Sequence, residues 1–250
     1  MYKGRRAIFD EISGKTGQIA ILVDPEKTKE EEIIVRLAQK AEFAGVNYFL
    51  VGGSTVSAKD LKQCIALLKQ HTQLPVILFP GASHQISDDA DALFFLNLIS
   101  GRNPDYLIGH HIAAASELQE MNLEIIPTAY VLVDGGKQTS VQYVSQTTPI
   151  PGEQFSIARN TVLAGMMLGL QLIYFDAGSG AYNLVPTDWI YKLRKEIQVP
   201  IIVGGGIKSI ETIDKFKEAG VNLIVIGNHI EENIDFLLDI GNYNREVKKA

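Results

Sequence analysis

The segment YFDAGSG, residues 174–180, ends an apolar run in residues that can do chemistry. Tyr174 and Asp176 lie two apart, so on a strand their side chains point the same way. Gly178, Ser179 and Gly180 follow as a loop with accessible backbone and a hydroxyl. A carboxylate and a phenol can hold hydroxyls, and glycine N–H groups with a serine hydroxyl can hold phosphate. Together they suit a phosphorylated polyol. Two more apolar runs end the same way, in Gly204-Gly205-Gly206 and in Gly227-Asn228. Glycines leave room for a ligand, and their N–H groups can point at an anion. The segment HIEENIDFLLDIG then predicts a helix whose N-terminus favours negative charge. These glycines predict a phosphate site without specifying a reaction.

A different chemistry is available at Asp24, in VDPEK with Lys27 nearby, and at Ser54, in VGGST after Gly52 and Gly53. A carboxylate and a hydroxyl are hard oxygen ligands, too few to cage a metal alone. They suit Mg²⁺ that completes its shell with water and substrate phosphates.

Positioning these residues requires a repeated strand. Eight short runs are continuously apolar: 19–23, 47–51, 75–79, 92–98, 124–133, 172–175, 200–203 and 222–226. Unbroken apolarity, rather than alternation, marks strands buried on both faces of a parallel sheet. Amphipathic segments lie between them. Thr28 with Glu31 reads as a capping box, Asn103 as a cap before Pro104, and Thr187 as a cap on DWIYKLRKEI. The segment GASHQISDDAD after the third run is too short and polar for a full helix. Eight strands with crossovers in 250 residues predict a (β/α)8 barrel, typically about 250 residues long, in one domain spanning 1–250. The position after the first run lacks the GxGxxG turn of an open dinucleotide-binding sheet. In a barrel, Asp24, Ser54, Tyr174, Asp176 and the glycines all lie at one mouth, and phosphate characteristically binds after the last two strands.

Composition excludes several classes. A formal charge of −6 without a basic run argues against nucleic-acid binding. The longest apolar stretch, residues 161–175, is too short to span a bilayer. A single cysteine, Cys64, excludes an internal disulfide and fits a reducing cytoplasm. At helical spacing among apolar neighbours it reads as a core thiol. The acidic run DDAD (88–91) reads as a solvated turn. His110 and His111, being adjacent, face different sides of a helix and do not read as a metal pair.

The ordered set VDPEK, VGGST, LFPG, SGRNPDYLIG, IPTAYVLVDGG, TSVQYVSQTTPIP, YFDAGSG, VGGGI and VIGN resembles the geranylgeranylglyceryl phosphate synthase family and its heptaprenylglyceryl phosphate synthase relatives, over about Ile19 to Asn228. The resemblance implies a modified (β/α)8 TIM barrel whose third helix, the one after the third strand, is reduced. It implies Mg²⁺-dependent transfer of a polyprenyl group, geranylgeranyl by the family's name, from its diphosphate to the 3-hydroxyl of sn-glycerol 1-phosphate. Carried over by motif, Asp24 and Ser54 would hold Mg²⁺. Tyr174, Phe175, Asp176, Ala177, Gly178, Ser179 and Gly180, with Gly205, Gly206, Gly227 and Asn228, would hold glycerol 1-phosphate. Asp176 would orient the attacking hydroxyl or take its proton, with Tyr174 beside it. Many archaeal members of the family carry Glu where this chain has Asp176. Phe79, Tyr130 and Val131 are candidates for the prenyl groove. The resemblance also implies a homo-oligomer that meets membrane surfaces only transiently. Two rival readings are a phosphosugar isomerase-type barrel, which wants an acid/base pair on opposing strands, and a noncatalytic barrel that binds phosphometabolites.

Overall fold

The computed structural model describes residues 7–247. Among them, eight parallel strands close a barrel in chain order. They are β1 (Gln18–Val23), β2 (Tyr48–Val51), β3 (Val76–Leu78), β4 (Ala92–Leu98), β5 (Glu124–Leu132), β6 (Leu172–Asp176), β7 (Ile201–Gly204) and β8 (Leu223–Ile226). Each lies within a predicted run or within a residue of it. The reason for their unbroken apolarity is visible in the two cores. Ala20, Leu50, Ile77, Phe94, Tyr174 and Ile202 fill the barrel, whereas Ile21, Phe49, Val51, Phe175 and Val203 pack outward against the helices.

The helices are α1 (Ala7–Gly14), α2 (Glu31–Ala44), α3 (Ala58–His71), α4 (His110–Glu120), α5 (Ser140–Ser145), α6 (Phe155–Met167), α7 (Thr187–Leu193), α8 (Ile210–Glu218), α9 (Asn228–Glu232) and α10 (Phe236–Val247). As expected, residues 79–91 between β3 and β4 contain no helix. Fully buried Gln85 organises that segment. Its Oε1 accepts from Gly81 N–H at 2.8 Å, and its Nε2 donates to the Gly53 and Val56 carbonyls at 3.0 Å each. One side chain therefore ties the loops after β2 and β3 together. No helix among the described residues is long and apolar enough to cross a membrane.

The capping expectations are met unevenly. Asn103 accepts from Asp105 N–H at 3.0 Å just before Pro104, and the segment opens with a π-helical turn, Asp105–Gly109, that runs into α4. α2 starts at Glu31 behind Glu30, with no side-chain cap, while Thr28 is buried. Thr187 stands inside α7, behind Pro186, and caps nothing. The helix predicted over residues 229–241 is broken at Asn233, leaving a five-residue α9 before α10. Its dipole is correspondingly short. Cys64 is a buried α3 thiol whose pKa burial pushes up to about 12.

α1 closes the barrel floor. Ile8 and Ile12 pack into the interior core, and Glu124 at the start of β5 accepts from the N–H groups of Ile8 (2.9 Å) and Phe9 (2.7 Å). Asn222 donates to the carbonyls of Ile12 and Lys15 at the other end of the helix. With α1 over the floor, the cleft among the described residues lies at the carboxyl ends of the strands, where sites in this fold lie.

Candidate active site

One cleft of about 300 Å³ occupies that mouth, at the lower end of the range for small-molecule sites. It touches Asp24, Ser54, Tyr174, Asp176, Gly178, Ser179, Gly180, Gly205, Gly206, Gly227 and Asn228 together. Phe175 and Ala177 stand apart. Their side chains belong to the outer core, and Phe175 packs on Trp189 with ring centroids 6.2 Å apart. Only their main chain can face a ligand, and Ala177 N–H already donates to the Gly204 carbonyl at 3.1 Å.

Packing alone requires some of these glycines. A Cβ on Gly205, whose φ is +89°, would lie 2.7 Å from the Gly178 nitrogen. A Cβ on Gly52 would lie 1.9 Å from the Phe79 carbonyl oxygen. Loops after adjacent strands thus touch backbone to backbone, which only residues without a Cβ allow. The Asn228 amide donates to Glu232 Oε1 at 2.6 Å, one turn along α9.

Asp176 is the chemical centre of this end. Its Oδ1 accepts from Gly178 N–H at 2.7 Å and its Oδ2 from the Tyr130 hydroxyl at 2.6 Å. Burial raises its pKa above the ordinary carboxylate value, and those two hydrogen bonds offset only part of the shift. Burial and the Asp176 charge push both Tyr130 and Tyr174 well above the ordinary phenol value, so both are neutral donors. Tyr130 and Tyr174 are register partners on β5 and β6, with rings packed edge-on at 5.5 Å. Tyr130, considered for the groove, is therefore part of the polar centre. Val131, the next residue, points into the outer core and lines no cleft.

Across the mouth, Asp24 Oδ1 accepts from Glu26 N–H at 3.0 Å. Its Oδ2 lies 3.6 Å from Lys27 Nζ, which also contacts Glu231 Oε2 at 2.9 Å. Burial opposes the Lys27 charge, but Glu231 and Asp24 outweigh it and raise its pKa. Among the described residues no cluster of three His, Cys, Asp or Glu could cage a metal. One carboxylate and one half-buried hydroxyl on neighbouring loops instead suit a hard cation that takes its other ligands from water and phosphate oxygens.

From Phe79 and Tyr106 the cleft continues as an apolar arm along Leu93, Phe95 and Leu118. It passes beside the segment that lacks a helix. His110 and His111 both line the arm although adjacent, each edge-on to an aromatic ring, Tyr106 at 4.9 Å and Phe95 at 4.4 Å. Burial lowers the His111 pKa, so it is a neutral imidazole.

Sequence reasoning missed Tyr130 as a partner of Asp176, Gln85 as the loop bracket, and Glu231 as the partner of Lys27. Alternation along AYVLV was the available signal for Tyr130, and its use required the β5–β6 register.

The sequence matches the PcrB family over residues 15–242. It is 45% identical to a geranylgeranylglyceryl phosphate synthase of Spirosoma linguale, covering 96% of this chain and 95% of that one. A synthase of the same name from Korarchaeum cryptofilum is 38% identical, covering 93% of each chain. The fold superposes with a TM-score of 0.89 on (S)-3-O-geranylgeranylglyceryl phosphate synthase of Thermoplasma acidophilum, solved in complex with its substrate sn-glycerol-1-phosphate. That pair is 31% identical, with 99% of both chains covered.

Proposed function

This chain belongs to the PcrB family, alongside geranylgeranylglyceryl phosphate synthases, and we propose that it is a prenyltransferase joining a polyprenyl group to the 3-hydroxyl of sn-glycerol 1-phosphate. The observation that carries the reading is a single cleft with three distinct ends. A glycine-lined polar end meets an acidic rim, and an apolar arm leads away from both.

In this reading the acceptor phosphate rests on the loops at Gly178–Gly180, Gly205–Gly206 and Gly227–Asn228. Anchoring it brings the far hydroxyl of glycerol to Asp176 and removes much of the entropic barrier to attack. Asp176 accepts the hydroxyl proton, as a carboxylate with a raised pKa is suited to do. Tyr130 and Gly178 N–H each occupy one of its oxygens and fix its plane. The hydroxyl oxygen forms a bond to C1 of the prenyl chain, the bond from C1 to the diphosphate oxygen breaks, and diphosphate leaves. Asp24 and Ser54 would hold Mg²⁺, which supplies charge neutralisation for the departing diphosphate. The apolar arm takes the prenyl tail away from water.

The test is incubation of the purified protein with radiolabelled sn-glycerol 1-phosphate, Mg²⁺ and prenyl diphosphates of several lengths. Label should enter an organic-extractable lipid, and chelation of Mg²⁺ should stop it. No label under any combination rejects the reading. Asp24→Asn should abolish turnover while leaving glycerol 1-phosphate binding intact, and loss of both would remove Asp24 from the diphosphate end.

A further inference from the structure

The loop after β5, residues 134–139, has no role in the chemistry above, yet it is built against the acceptor end. The Gly135 carbonyl accepts from the N–H groups of Tyr182 (2.8 Å) and Asn183 (3.0 Å), just past the Gly178–Gly180 turn. A Cβ on Gly135 would stand 2.1 Å from the Ala177 carbonyl oxygen. The two loops are therefore locked together, and two polar side chains are carried with them. Thr139 is 7% exposed, lines the cleft, and its Oγ1 has no hydrogen-bond partner among the described residues. A Cβ on Gly178 would lie 3.2 Å from that oxygen. Lys137 comes to the other end of the same turn. A Cβ on Gly180 would lie 2.8 Å from Lys137 Nζ and 3.5 Å from Asn228 Nδ2.

The charges around this end make the lysine informative. Asp176 and Glu232 both bring carboxylates to it, and the whole chain is anionic. A phosphate held by backbone N–H groups there needs a compensating cation. Lys27 is committed to Glu231 and Asp24 across the mouth. Lys137 is half-buried and forms no ion pair among the described residues. Its ammonium is held 5.5 Å from the centre of the Tyr182 ring. A buried hydroxyl without a partner and an ammonium without a counter-ion thus flank one glycine turn.

We propose that Lys137 and Thr139 bind the phosphate of the acceptor, Lys137 as its counter-charge and Thr139 as a hydroxyl donor. This rests on the reading of that turn as the glycerol phosphate site. The Nζ and Oγ1 atoms close a side of the phosphate that the backbone N–H groups of the other loops do not reach, and make affinity for the acceptor depend on its charge.

Calorimetric binding of sn-glycerol 1-phosphate to the full chain tests both levels. No measurable binding by the unaltered protein would reject the acceptor reading itself. Given binding, Lys137→Met should raise Kd about tenfold or more, the usual effect of losing a charge-assisted contact. Thr139→Val should raise it about fivefold. Lys137→Arg and Thr139→Ser should recover most of the affinity. Inorganic phosphate should show the same order, and Lys137→Met should flatten the dependence of Kd on ionic strength. In turnover the loss should fall on KM for the acceptor. A Lys137→Met protein that binds within twofold of the unaltered chain, with unchanged salt dependence, overturns the lysine assignment. An unchanged Kd for Thr139→Val overturns the threonine.

Discussion

Asp176 carries two demands that conflict. Its carboxylate is placed where burial raises its pKa, which suits proton transfer and opposes folding. The folded chain binds that proton more tightly than the unfolded one. The contribution to stability is therefore best below the ordinary carboxylate value and declines as pH rises through the raised value, and at neutral pH the full penalty applies. Asp176→Asn removes it while keeping the contacts. The new carbonyl can accept from Gly178 N–H, and the new amide can donate to the Tyr130 oxygen. We expect this variant to melt above the unaltered protein at neutral pH, with the gap closing as pH falls toward the ordinary carboxylate range. We expect it to lose about 10²-fold or more in kcat/KM. Scanning calorimetry across pH checks the first and the labelling assay the second. In the unaltered enzyme the acid limb of kcat/KM should sit above an ordinary carboxylate's, and Tyr130→Phe should move it higher, because the phenol bond lowers the Asp176 pKa. A variant that melts lower at every pH would show that Asp176 stabilises the fold and is not a strained base.

Among the elements, the segment after β3 does what a helix does elsewhere in the barrel, with one side chain. Gln85 satisfies Gly81 N–H and the Gly53 and Val56 carbonyls at once. Gln85→Leu fills the same space and leaves all three without that partner. The expected loss is about 2–4 kcal/mol in urea unfolding, together with a raised KM for the prenyl diphosphate because Gly53 precedes Ser54. A change under about 0.5 kcal/mol would mean the loops are held by backbone packing alone. The missing helix itself was legible, because eleven short polar residues cannot bury a helical face. The strands were legible for the opposite reason, since both of their faces are buried. The break in the helix after Asn228 was not, because HIEENIDFLLDIG keeps an amphipathic rhythm across Asn233. α1 was equally hidden. AIFDEISG mixes charged and apolar residues in one short segment, and only the closed floor shows Ile8 and Ile12 needed inside. Residue types and strand-end spacing singled out Asp24, Ser54, Tyr174 and Asp176, which the fold brings to one cleft. Pairs that depend on register between strands, such as Tyr130 with Asp176, and partners from distant loops, such as Lys27 with Glu231, are invisible in linear order.

At the scale of the molecule, the floor and the mouth divide the work. The floor is tied by α1, Glu124 and Asn222, while the mouth carries closely packed glycine loops and a lysine without an ion pair among the described residues. An acceptor that fits the mouth should therefore stabilise the whole barrel, because the loops it bridges come from β5, β6, β7 and β8 and cannot close around it unless the strands are in place. Saturation at about 100 times Kd adds about 2.7 kcal/mol, which for a chain of this length raises Tm by roughly 5 °C or more. Inorganic phosphate at the glycine turn would leave Asp176 without a hydroxyl, so at equal multiples of its own Kd it should stabilise equally, while at equal concentration it should stabilise less. Thermal melts with sn-glycerol 1-phosphate and with phosphate, at matched concentration and ionic strength, measure the difference. Equal shifts at matched concentration would mean the glycerol portion makes no net contact and Asp176 is not its partner. A larger shift with glycerol 1-phosphate that disappears in Asp176→Asn would tie the anchored phosphate and the reacting hydroxyl to one continuous site.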